Sequence, residues 1–150
     1  MTDRPDLDTY FMEIAFTVAK RSTCHHRQVG ALLVRDKRIL ATGYNGAPAG
    51  LPHCIDTKCA RDGIESGARS DLCRAVHAEQ NAIVQAALFG ISTEGSTLYC
   101  THSPCVLCAK LLINAKIIKI VYKIQYPDFD ALRLFDQSGV QLTALSVDFI

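Results

Sequence analysis

Apolar positions fall into alternating blocks with helical and strand periods. Leu7, Tyr10, Phe11, Ile14 and Val18 recur at spacings of three and four. This predicts an amphipathic helix to about Ser22, with Asp6 or Asp8 as its N-cap. Gln28 to Arg35 (with VGALLV) and Arg38 to Tyr44 (RILATGY) read as strands. Only Asp36-Lys37 separates them, so an antiparallel hairpin is expected. Residues 45 to 73 carry Gly, Pro, Cys and charge with no clear period. A loop of that length is unusual in a compact domain, and it points to function or to an added restraint.

From Arg74 to Phe89 the helical pattern returns, with Val76, Ile83, Val84, Ala87 and Leu88 as its apolar side and Gly90 as its stop. Thr97 to Thr101 is a short strand. Pro104 opens a helix to about Ala115, at a position where its missing N–H costs little. Ile117 to Ile124 is a strand, Phe129 to Gln137 a helix ended by Gly139, and Val140 to Val147 a final strand. The order α-β-β-loop-α-β-α-β-α-β implies parallel crossovers in the second half and a hairpin in the first. The expected fold is a three-layer α/β/α sandwich on a five-stranded mixed sheet. No repeat or linker interrupts it, so residues 1–150 read as one domain.

Composition narrows the functions available. The chain has 150 residues, 49% hydrophobic and 21% charged, with a net charge of +1. No basic field exists to hold a long nucleic acid, which favours a small substrate. The polar, acidic start MTDRPDLD is unlike a signal peptide, and no apolar run could span a bilayer. A cytoplasmic protein is expected. Seven cysteines, at 24, 54, 59, 73, 100, 105 and 108, cannot all pair internally. In a reducing compartment, clustered cysteines point to metal binding or chemistry.

His77-Ala78-Glu79 and Pro104-Cys105-Val106-Leu107-Cys108 supply that chemistry. One imidazole and two thiolates can hold zinc and leave its fourth position open. Residues three apart on a helix share a face, so Cys105 and Cys108 can grip one ion. Helix N-termini favour thiolates. Glu79, two residues past the histidine, is placed to move protons without being a ligand. By itself, C-x-x-C also suits a redox pair or half of a structural zinc site, with His102 as a further ligand. The two half-motifs in this order form the signature of zinc deaminases acting on nucleobases.

Beyond these motifs, VGA (29–31), TGYNGAPAG (42–50), CRAVHAEQNAI (73–83) and THSPCVLCAK (101–110) together resemble the deoxycytidylate (dCMP) deaminases, most closely the bacterial branch associated with competence operons. The resemblance covers nearly the whole chain. It implies conversion of dCMP and water to dUMP and ammonia, feeding thymidylate synthesis. It also implies that Asn45 lies in a loop contacting sugar and phosphate. The Ser103 carbonyl would meet the substrate amine, the Ala78 N–H the pyrimidine carbonyl, and Tyr126 the region of the phosphate. Relatives of this kind are homohexamers activated by dCTP and inhibited by dTTP, each bound with magnesium. Tyr44, Asn45 and Gly46 resemble part of that effector site. Leu88 departs from the pattern, where the family often has a lysine or arginine, and this weighs against the usual regulation.

Cys100, in the TLYCT strand, is expected to be core. Cys24, Cys54, Cys59 and Cys73 remain, and four is the number a closed structural zinc needs. His53, His25 or His26 could replace one sulfur. Such a second zinc would fasten the long loop beside His77. Two other classes stay open. One is a different deaminase of the superfamily, acting on tRNA adenosine or free cytidine. The other is a zinc-stabilised nucleotide-binding module without catalysis, against which an intact Glu79 argues.

Overall fold

A computed structural model describes residues 3–146 and 148. Four helices and five strands follow the expected order: α1 (Leu7–Ala19), β1 (Gly30–Arg35), β2 (Arg38–Tyr44), α2 (Ala78–Leu88), β3 (Thr97–His102), α3 (Val106–Asn114), β4 (Lys119–Ile124), α4 (Phe129–Ser138) and β5 (Gln141–Ala144). The sheet order is β2-β1-β3-β4-β5. β1 is antiparallel to both β2 and β3, whereas β3, β4 and β5 run parallel. The mixed five-stranded sheet is therefore as expected. The last strand is shorter than expected, and Val147 lies outside the described residues.

Strand alternation divides the core into two clusters. Leu32, Val34, Tyr99 and Val121 point toward α1. Ala31, Leu33, Leu98, Cys100 and Ile120 point the other way, into the layer built by α2, α3 and α4. Side chains alternate across a strand, so one sheet supports both outer layers. Cys100 is fully buried, as expected of a core thiol.

The first two helices are turned part-way from the expected faces, although Phe11, Ile14 and Val18 on α1 and Ile83 on α2 pack on the core as expected. On α1, Phe11, Met12, Ala15 and Ala19 are buried, while Leu7 and Tyr10 are exposed. Asp6 is the cap, its Oδ1 accepting from the Thr9 N–H at 2.8 Å. On α2, the buried residues are Ala78, Glu79, Ala82 and Ala86. Of the larger residues read as its apolar side, Ile83 packs against the core as expected, whereas Val84 is 50% exposed and Leu88 78%.

Glycines on the strands explain the rotation. A Cβ on Gly43 would lie 2.1 Å from the Ala78 carbonyl oxygen and 2.5 Å from the Ala82 nitrogen. A Cβ on Gly30 would lie 2.1 Å from the Ala15 carbonyl oxygen. Each helix backbone rests directly on a glycine, so only alanines fit at the contact. Helix α2 also begins four residues later than expected. The Val76 N–H and C=O are committed to Gly46, at 2.8 and 3.2 Å, and cannot enter a helix.

Gly43→Ala is expected to wedge α2 off the sheet. Overpacking of this kind costs about 1–3 kcal/mol, readable as a lower denaturant midpoint. An unchanged midpoint would contradict the close contact.

Candidate metal and active site

Two helix starts converge below the edge of the sheet. His77 is the residue preceding α2, and its N–H donates to Gln80 Oε1 at 2.8 Å. Cys105 is the N-cap of α3, and Cys108 stands one turn along it. The helix starts two residues later than expected, so Pro104 lies just outside it, because Cys105 itself is extended (ψ 171°). That place equally asks nothing of the missing N–H.

The three donors meet. His77 Nδ1 lies 3.3 Å from Cys108 Sγ and 3.5 Å from Cys105 Sγ. All three ligand atoms lie within 4.8 Å of one another, and Cys108 is buried. His102 is not in this group; its Nδ1 lies 2.9 Å from the Thr101 hydroxyl. Hydrogen bonding from Cys108, followed by that from His77, pulls Cys105 down to about 4 against the cost of burial. The same bond, with burial behind it, pushes Cys108 up. Hydrogen bonding to Cys105 raises His77. One soft anion, a second thiol and an imidazole in a partly dry recess suit zinc, which takes S and N donors.

Glu79 is 5% exposed, on the first turn of α2. Burial raises its pKa above the ordinary carboxylate range, and the nearby His77 opposes the rise. A carboxyl poised upward in a cavity is suited to accept and return protons. Cys100 lies beneath it, and burial first and Glu79 second drive that thiol well above its usual range. No spacing rule in the sequence links Cys100 to Glu79; the pairing of β3 with β1, on which α2 packs, brings them together.

His77, Glu79 and Cys105 open into a cavity of about 460 Å³. Asn45, Ala78, Ser103 and Tyr126 also line it. Asn45 is buried; its Oδ1 accepts from the Val29 N–H at 2.9 Å and its Nδ2 donates to the Arg27 carbonyl at 2.8 Å. An amide has two donors and two acceptor lone pairs, so one of each remains for a ligand. The Ser103 hydroxyl accepts from the Tyr126 N–H at 2.6 Å and donates to its carbonyl at 3.1 Å. Of the three residues read as an effector segment, Gly46 and Asn45 are buried and Tyr44 is exposed.

Arg27 escaped sequence reading. Its guanidinium lies 4.9 Å from the Tyr126 ring centroid, at the cavity wall. Burial, with Arg27 second, lowers His102 to about 4, so that imidazole is neutral near pH 7. The Asn45 bond to the Arg27 backbone is what carries the side chain to the site.

The other cysteines gather loosely. Cys24, Cys54, Cys59 and Cys73 all line the same cavity. Burial raises Cys54, Arg74 opposes the rise, and Cys24, Cys73 and Cys59 lie around it. Cys24 Sγ accepts from the His26 N–H and Cys59 Sγ from the Arg61 N–H, each at 3.4 Å. No three of these four sulfurs lie mutually within 4.8 Å among the described residues; Cys59 instead groups with His26 and Asp62.

Residues 5–124 match the sequence model of the family described as the cytidine and deoxycytidylate deaminase zinc-binding region. The chain belongs to this deaminase family. It is 41% identical to ComE operon protein 2 of Bacillus subtilis over 97% of its own length and 75% of that protein. It is 40% identical to deoxycytidylate deaminase of Schizosaccharomyces pombe, over 93% of this chain but only 44% of the relative. Among solved structures, dCMP deaminase of cyanophage S-TIM5 in complex with dCMP and dUMP superposes with a TM-score of 0.81 at 33% identity, covering 96% of this chain and all of the other. Family membership agrees with the meeting of His77, Cys105 and Cys108 in one group of metal-ligating atoms. No helix among the described residues is long and apolar enough to cross a membrane.

Proposed function

We infer that this chain catalyses hydrolytic deamination of dCMP to dUMP and ammonia, supplying dUMP for thymidylate synthesis. The observation that carries the reading is the convergence of half-buried His77 and Cys105 with buried Cys108, beside buried Glu79, in a cavity sized for a nucleotide. His77, Cys105 and Cys108 would hold zinc. When bound, zinc supplies Lewis-acid activation of water near neutral pH. Glu79 accepts a proton from the attacking water and delivers it to the ring nitrogen. The water oxygen bonds to the amine-bearing ring carbon. Glu79 then carries the second proton to the leaving amine; the C–N bond breaks, ammonia departs and the carbonyl remains. Water is consumed, and no oxidant or reductant is needed.

The walls would sort the substrate. The Ala78 N–H, at the first turn of α2, is one of the groups a helix start leaves unpaired, and it is offered to the pyrimidine carbonyl. The Ser103 carbonyl is offered to the amine. Asn45 faces the sugar with its remaining donor and acceptor. Arg27, stacked on Tyr126, meets the 5′-phosphate, which suits a guanidinium fork.

A second, structural zinc on Cys24, Cys54, Cys59 and Cys73 belongs to this reading. Its support is the ring of cysteines about Cys54 and the backbone N–H groups already directed at two of the sulfurs. The sulfurs would have to close in around the ion, or His26 would replace one. A homo-oligomer, with six copies as the expected number, accounts for the outward apolar face of Val84, Leu88 and Phe89 on α2 and Leu107 and Leu111 on α3. In that assembly Tyr44, Asn45 and Gly46 would take part in a triphosphate effector site for dCTP or dTTP with magnesium.

Glu79→Gln is expected to keep zinc and lower kcat by roughly 10²–10⁴-fold; a fully active variant would contradict the assignment. Deoxycytidine, which lacks the phosphate, should fall about 10- to 100-fold below dCMP in kcat/KM, and equal turnover would remove the phosphate reading. Metal analysis should give two zinc ions per chain, dropping by one in Cys54→Ser; one per chain in the wild type would end the second-zinc proposal. Light scattering should report a hexamer, and a rise of dCMP turnover with dCTP and a fall with dTTP would show that regulation survives the apolar Leu88. A monomer indifferent to both would refute assembly and regulation together.

A further inference from the structure

The helix that carries Cys105 and Cys108 lacks a cap of its own. Cys105 occupies its N-cap position and makes no side-chain cap hydrogen bond; its sulfur is turned to His77. A serine, threonine, asparagine or aspartate would ordinarily sit there and satisfy the first N–H groups. In this chain the acceptor comes from elsewhere. Asp128 Oδ2 accepts from the Val106 N–H, the first of α3, at 2.8 Å. Its other oxygen, Oδ1, accepts from the Ala131 N–H at 3.1 Å, capping α4, whose N-cap Asp128 is. One carboxylate therefore fixes the start of two helices.

The same segment grips the other side of the motif. Ser103 exchanges hydrogen bonds with both backbone groups of Tyr126, and the Ser103 N–H donates to the Ile124 carbonyl at 2.9 Å. Residues 124–128 thus hold the Ser103-Pro104-Cys105 turn before its cysteine and after it. A carboxylate accepting an N–H makes a stronger bond than a neutral acceptor, and negative charge is favoured at a helix start.

We propose that Asp128 is a positioning residue for the Cys105–Cys108 pair, holding the first turn of α3 so that both sulfurs stay directed at His77 and neither is spent on capping. The inference rests on the zinc reading of that site. Its hydrogen-bond partners are backbone N–H donors, so it acts through α3 from its place in the cavity wall.

The two bonds can be separated. Asparagine caps a helix as well as aspartate does, but its amide has one oxygen. Asp128→Asn should keep the α4 cap and give up the Val106 bond, because the NH₂ group cannot accept. Zinc release to a coloured chelator is the readout, taking the phase that disappears in His77→Ala. Asp128→Asn should release that zinc about 10–100-fold faster, the usual cost of losing a group behind a metal ligand. Its unfolding midpoint should stay near the wild type, KM should hold while kcat falls, and excess zinc should restore part of kcat. Asp128→Ser, which can also cap α4, should behave alike, and Asp130→Asn, next along α4, should release zinc at the wild-type rate. Release at the wild-type rate in Asp128→Asn and Asp128→Ser would overturn the proposal, as would faster release that merely tracks global unfolding. A wild-type protein that takes up no zinc at His77 would overturn the site reading, and this inference with it.

Discussion

Three soft donors must meet in a recess, although they come from segments 28 and more residues apart. That constraint shapes much of the fold. Two of the donors, His77 and Cys105, stand at the starts of helices, where side chains ordinarily serve the helix. Here those side chains turn to one another instead. The helices are then secured from outside the cap position: by Gln80 on the His77 N–H and by Asp128 on the Val106 N–H. The sheet completes the arrangement. Gly43 lets α2 sit against β2, and the parallel pairing of β3 and β4 brings Ser103 to Tyr126.

Burial then decides the chemistry. The Cys105 thiol is stabilised as an anion by donors that its neighbours supply, whereas Glu79 is pushed toward its neutral form by loss of water. These opposite shifts suit opposite tasks, one a metal ligand and the other a proton carrier. Arg27 and neutral His102 line the outer wall, where a phosphate and a sugar would lie. The family relationship and the geometry agree on deamination. The choice of a nucleotide over a nucleoside rests on that outer wall.

Local features were legible in the chain, and features made by distant pairing were not. Strand alternation carries the layer arrangement, and the two half-motifs, His77 with Glu79 and Cys105 with Cys108, carry the metal group, because each alternating run and each half-motif is local even though the halves meet across 28 residues. The outward turn of Val84 and Leu88 was not legible: apolar periodicity does not say whether a face meets the sheet or another surface, and Gly43 settles it from across the fold. The late start of α2 depends on the Gly46–Val76 bridge. Asp128 reads locally as an ordinary N-cap for α4, and its second bond lies 22 residues back. Asn45 was expected only in a ligand-contacting loop, yet it also braces the segment that delivers Arg27.

The central claim is that water, activated between the His77-Cys105-Cys108 group and Glu79, replaces the amine of dCMP. Turnover of dCMP in ¹⁸O-labelled water by the zinc-loaded protein, followed by mass spectrometry of the nucleotide, tests it most directly. The account predicts dUMP carrying one ¹⁸O atom in the base, formed with an equal amount of ammonia. Unlabelled dUMP, or no dUMP from a protein whose His77 site holds zinc, would contradict it.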